Sequence, residues 1–184
     1  NGDTVVRLVV SNLDGSNRTV IKEANTDFQA NYFLYMLSTL SPKGDMLIHY
    51  ELNGGNYIMH RANADGTGDV VISDEIYMPS VHPISPEGSN FFYREKYDLL
   101  SNVVPWFGSL YIVDRHVTGE KKLIDNDSSM IFNRHFPTWT PDGSQLLCLK
   151  RDRLDPDKYY LVKLHILTEK TTEIKKFDYK IITP

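Results

Sequence analysis

Short apolar runs recur along the chain, each one opened by a tight turn. Met46-Leu47-Ile48, Phe91-Phe92-Tyr93 and Leu146-Leu147-Cys148 follow Ser41-Pro42-Lys43-Gly44-Asp45, Ser85-Pro86-Glu87-Gly88-Ser89 and Thr140-Pro141-Asp142-Gly143-Ser144. These turns begin 44 and 55 residues apart. Proline sets φ at the second turn position and glycine accepts a positive φ near its end, so each motif predicts a tight connection between two strands. A second unit lies downstream of each: Tyr57-Ile58-Met59-His60-Arg61, Tyr111-Ile112-Val113-Asp114-Arg115 and, more loosely, Tyr160-Leu161-Val162-Lys163-Leu164. These lead into Asn63-Ala64-Asp65-Gly66, Val117-Thr118-Gly119-Glu120 and Leu167-Thr168-Glu169-Lys170, and then into β-prone segments with polar residues interspersed. Near the start, Val6-Arg7-Leu8-Val9-Val10 and Asn12-Leu13-Asp14-Gly15 carry the same unit. Each period therefore reads as strand, SPxG-type turn, strand, loop, strand, DG or TGE turn, strand. Four antiparallel strands in about 50 residues predict an all-β fold made of β-propeller blades. Phe28 to Leu40 is the one stretch with some helical periodicity, and Tyr32, Phe33, Tyr35 and Thr39 suit a strand equally well.

The repeat phase divides the chain into outer strands of one blade (1–24), three blades (25–74, 75–127 and 128–177) and the possible start of another (178–184). That is about three and a half blades of a single partial propeller domain. Pro137-Thr138-Trp139-Thr140-Pro141-Asp142-Gly143-Ser144 with Leu146-Leu147, followed in the other copies by Tyr-Ile-x-x-Arg and a TGE or NADG turn, resembles the TolB-type, WD-like propeller repeat. Leu40 and Pro83-Ile84 depart from it where the third copy has Trp139. The resemblance implies a ring of six or seven blades, on the order of 300 residues at this period. Blades from the rest of a longer polypeptide, or from a partner, would then complete the ring. It also implies a periplasmic or other extracytoplasmic setting. Its relatives include TolB-like proteins, gating propellers of prolyl-oligopeptidase-like hydrolases and oligogalacturonate lyases.

Composition excludes more than it proposes. The 184 residues are 41% hydrophobic and 24% charged, with a formal charge of -4. That is ordinary globular composition, without the basic footprint of a nucleic-acid binder. No apolar stretch reaches the roughly 18 residues of a membrane span, and Asn1-Gly2-Asp3 opens no signal peptide pattern. Cys148 is the single cysteine and lies in an apolar run, as a small buried thiol would.

The SPxG and DG or TGE turns fall on one face of a blade. Longer connections fall on the other: 95–108 and 150–158 within blades, and 24–31, 73–81 and 125–136 between them. Loops displayed by a rigid scaffold carry binding, so the long-loop face is the expected site for a protein, peptide or glycan ligand, with Tyr97, Trp106, Phe107, Arg134, Arg151 and Arg153 as candidate contacts. No catalytic residue is assigned, since no GxSxG occurs and Ser41 and Ser85 are turn residues. No cofactor is expected apart from a divalent metal, for which His82 and His135 are candidates just before inner strands, near Asp74, Glu75 or Asp127. His49 and His60 fall in strands at outward or interblade positions. The alternatives to a noncatalytic binding propeller are an oligogalacturonate-type lyase with a histidine metal site in its channel and a peptidase gating domain.

Overall fold

The computed structural model describes residues 5–25, 37–53, 56–76, 79–95, 109–124, 130–131, 137–152, 154–155 and 157–178. They form fourteen strands in four antiparallel sheets. The first sheet pairs β1 (Val5–Val10) with β2 (Thr19–Asn25). The second runs β3 (Thr39–Leu40), β4 (Met46–Asn53), β5 (Asn56–Asn63), β6 (Val70–Ile76). The third runs β7 (Asn90–Arg94), β8 (Leu110–Asp114), β9 (Glu120–Ile124). In the fourth, β10 (Met130–Ile131) and β11 (Thr138–Trp139) both pair with β12 (Gln145–Arg151), which continues to β13 (Lys158–His165) and β14 (Thr171–Asp178). Three successive sheets thus repeat the blade order expected from the sequence. The tail beyond Asp178 lies outside the described residues.

The turn motifs work as their chemistry requires. Gly44, Gly88 and Gly143 have φ of 71°, 75° and 69°, and their amides donate to the carbonyls of Ser41, Ser85 and Thr140. The hydroxyl of the opening residue accepts a second bond from the strand that follows: Met46 N to Ser41 Oγ at 3.1 Å, Asn90 N to Ser85 Oγ at 3.0 Å and Gln145 N to Thr140 Oγ1 at 3.1 Å. A short hydroxyl side chain supplies that acceptor, in keeping with a motif that opens on Ser or Thr. The other turns of each blade sit beside these, since Ala64 N donates to Asp45 O, Arg115 N to Ser89 O and Ile166 N to Ser144 O. Both kinds of tight turn therefore share one end of the blades.

Adjacent blades stack through apolar faces. Alternation along β7 sends Phe91 and Tyr93 to one side and Phe92 to the other. Phe91 and Tyr93 join Met46, Ile48, Tyr50 and Met59 of the second sheet. Phe92 joins Leu110, Ile112 and Leu123 against Trp139, Leu146, Cys148, Val162 and Leu164 of the fourth. Cys148 is fully buried, and that burial pushes its thiol up to about 12, so it is an inert core residue.

Three features depart from the expected pattern. The inner strand of the third blade is reduced to a bridge between Ile84 and Phe91. Pro83 has no N–H to extend it, but its carbonyl accepts from Phe92 N at 3.0 Å and from Trp139 Nε1 at 2.9 Å, tying third and fourth blades together. Second, β6 continues through Ser73, Asp74 and Glu75 to Ile76, which is 2% exposed. The acidic pair reads locally as a loop, yet the buried Ile76 holds the segment in the sheet. Third, Met130 and Ile131, within the connection expected at 125–136, pair with Lys150 and Leu149.

A charge pair links neighbouring turns: Arg115 Nη2 lies 2.7 Å from Asp45 Oδ2. The Arg115 guanidinium and the Ser41 hydroxyl hold the Asp45 carboxyl down to about 2, from an ordinary 3.8. A depressed carboxylate stabilises the fold above its unfolded value and loses that contribution as pH falls through the folded one. Thermal melts of the protein and of Asp45→Asn should therefore converge as pH falls from about 4 to about 2. A gap that stays constant across this window would show that the pair does not stabilise the fold.

Candidate functional site

Among the described residues, the facing surfaces of the first and second sheets carry a charged cluster that neither apolar core cluster includes. On β4 the residues Met46, Ile48 and Tyr50 face the third sheet, so alternation turns Leu47, His49 and Glu51 toward the first. Pairing in the β4–β5 hairpin sets His49 opposite His60. Their rings stack with centroids 4.7 Å apart and planes at 17°. His49 is wholly buried and His60 is 7% exposed.

Asp69, just before β6, reaches both rings with one oxygen: Oδ1 lies 3.1 Å from His49 Nε2 and 3.2 Å from His60 Nδ1. The other nitrogen of His60, Nε2, lies 3.7 Å from Glu51 Oε2. Lys22 enters from β2 in the neighbouring sheet, with Nζ 2.8 Å from Glu51 Oε1 and 3.0 Å from Asp69 Oδ2. His49 Nδ1 and His60 Nε2 are buried without a hydrogen-bond partner among the described residues.

Electrostatics follow from this arrangement. Burial pushes His49 below its ordinary value, against the pull of Asp69. Burial alone would raise the Asp69 and Glu51 carboxyls; the Lys22 ammonium and the histidines outweigh it and hold both below the usual range. Lys22 is raised in turn: burial opposes its charge, and the two carboxylates overcome that penalty. The cluster is thus anionic carboxylates and a cation around stacked imidazoles, of which His49 is held neutral. Two imidazole nitrogens and a carboxylate oxygen converging within 4.8 Å of one another form a donor set that suits a metal ion.

Among the metal candidates from the sequence, His82 is exposed beside the third blade's inner bridge, and His135 lies outside the described residues. The structure instead brings together His49 and His60. Their positions at equal distances from Gly54-Gly55 were the available signal, because a hairpin centred on that pair must place them side by side. Nothing local pointed to Asp69 or Lys22.

On the opposite end from the tight turns, Arg151 closes β12 and is half-buried. Beside it, Asp152 accepts from Leu154 N at 2.8 Å and from the Tyr160 hydroxyl at 2.8 Å, while Lys158 Nζ pairs with Asp155. Tyr97, Trp106, Phe107, Arg134 and Arg153 lie outside the described residues. A separate cleft of about 710 Å³ opens at the turn end between the first two sheets, lined by Val10, Asn12, Leu13, Leu40, Ala64 and Asp65. No helix among the described residues is long and apolar enough to cross a membrane.

No protein-family model matches the chain, and no curated protein does. Solved structures do. TolB from Acinetobacter baumannii superposes with a TM-score of 0.57 at 16% identity, over 89% of this chain and 36% of that one. Oligogalacturonate lyase from Vibrio parahaemolyticus gives 0.54 at 16% identity, over 96% of this chain and 49% of that one. Oligopeptidase B from Leishmania major gives 0.50 at 12% identity, over 92% and 24%. The chain thus spans less than half the length of each of these proteins. Such identities speak to architecture alone, and together with the blade order and turn chemistry they establish that the described residues form β-propeller blades, the fold also seen in TolB.

Proposed function

We propose that this protein is a noncatalytic propeller module that binds a protein, peptide or glycan on the face opposite its tight turns, in an extracytoplasmic setting. The observation that carries the reading is the pairing of the two turn types at one end of every repeated blade, through Ala64 to Asp45, Arg115 to Ser89 and Ile166 to Ser144. Those hydrogen bonds tie the two turns of each blade to one another. Variable connections are left to the other end, where Arg151 lies and where Trp106 and Phe107 fall by sequence. Further blades, from the same polypeptide or from a partner, complete the ring in this reading.

The test is binding to immobilised panels of oligosaccharides, oligogalacturonates included, and of peptides. Trp106→Ala, Phe107→Ala and Arg151→Ala should each weaken the retained ligand by roughly tenfold, the loss expected of a centrally placed aromatic or arginine contact. Undiminished binding in all three variants would remove the long-loop face as the site. Turnover of a bound oligogalacturonate would replace the noncatalytic reading with a lyase.

A further inference from the structure

We propose that His49 Nε2, His60 Nδ1 and Asp69 Oδ1 bind one divalent transition-metal ion of the zinc type between the first two blades, with Glu51 orienting His60. This site is distinct from the long-loop face and does not depend on it.

Two of the donor separations already suit such an ion, while the stacked rings must tilt to aim both in-plane lone pairs at one point. Bonds of about 2.0–2.1 Å in a tetrahedral site separate neighbouring ligand atoms by roughly 3.3 Å. The two nitrogen–oxygen separations here are 3.1 and 3.2 Å, and all three donor atoms fall within 4.8 Å of one another. Two imidazoles and a carboxylate match the borderline character of zinc, and three protein donors leave a fourth position for water.

The unpartnered nitrogen of His60 points the same way. A carboxylate only accepts, so when a neutral His60 donates from Nδ1 to Asp69 it turns the lone pair of buried Nε2 toward Glu51, another acceptor. An ion at Nδ1 reverses the tautomer. Nε2 then carries the proton and faces Glu51 Oε2, 3.7 Å away, the carboxylate–histidine–metal arrangement that fixes a ligand's orientation. Lys22 is the competitor. Its ammonium sits between Glu51 and Asp69, as a cation bound by both, and its side chain is 32% exposed, which leaves it a path to swing toward solvent.

Zn²⁺ titrated calorimetrically into tag-free, chelator-treated protein should bind at one equivalent. Asp69→Asn and His60→Gln should weaken that binding by well over tenfold and Glu51→Gln by roughly tenfold, while Lys22→Met tightens it several-fold. Co²⁺ in place of Zn²⁺ should give the intense visible absorption of a tetrahedral site, lost in Asp69→Asn. Absence of stoichiometric binding to the parent protein would overturn the proposal. So would stoichiometric binding that survives unchanged in Asp69→Asn and His60→Gln, since the ion would then lie elsewhere. Should those two variants fail to fold, Lys22→Met decides: unchanged or weaker binding in that folded variant counts against the site.

Discussion

Replacing Phe92 by alanine should lower stability by about 4 kcal/mol, the middle of the range for emptying a buried aromatic site. Phe92 is fully buried, and its ring centroid lies 6.0 Å from that of Trp139 in the next blade, tilted by 43°. Leu110, Ile112 and Leu123 flank it from its own sheet, and Leu146, Cys148, Val162 and Leu164 face it from the other. Sheet hydrogen bonds hold both walls in place, so neither can close over a cavity that large. For a domain of this length the loss corresponds to a fall in Tm on the order of 10 °C. Phe92→Leu, which keeps most of the volume, should cost under about 1.5 kcal/mol. Urea unfolding of the three proteins measures both. A Phe92→Ala protein as stable as its parent would mean that the third and fourth blades do not stack through this face.

Removing Asp69 should have the second largest effect, about 2–3 kcal/mol at neutral pH in the presence of chelator. Breaking a buried ion pair from one side typically costs 3–5 kcal/mol because the partner's charge stays behind. The lower figure applies here because the Asp69 side chain is 26% exposed and Lys22 can recover water. Asp69→Ala leaves Lys22 with Glu51 alone and strips the acceptor from both imidazoles. Asp69→Asn keeps an acceptor oxygen and should cost about half as much. A double-mutant cycle with Lys22→Met isolates the contribution across the two blades. A coupling energy near zero would mean that Lys22 does not join the first sheet to the second through Asp69.

Much of the architecture was legible because its causes lie within a few residues. Ser41, Ser85 and Thr140 each cap the start of the next strand, and a positive-φ glycine follows three residues on. These are local bonds, and they leave a motif wherever they are made. Continuous apolar runs such as Phe91-Phe92-Tyr93 likewise announced strands buried on both faces. Failures of local reading arose where a distant residue decided the outcome. Ile76 keeps an acidic stretch in β6 by being buried against the third blade's side of the sheet, and Met130–Ile131 becomes a strand only because β12 offers it an edge.

The candidate site divides along the same line. Two histidines equidistant from Gly54-Gly55 were open to view as hairpin partners, since an antiparallel hairpin fixes its cross-strand pairs once the turn is placed. What the chain alone determined was therefore the blade, its turns and the cross-strand placing of His49 opposite His60. Tertiary structure decided that Asp69 folds back onto both rings, that Glu51 lies behind His60, and that Lys22 arrives from another sheet. Those contacts depend on which face of one sheet meets which face of the next. Strand periodicity specifies that a face is buried, but not the partner that buries it.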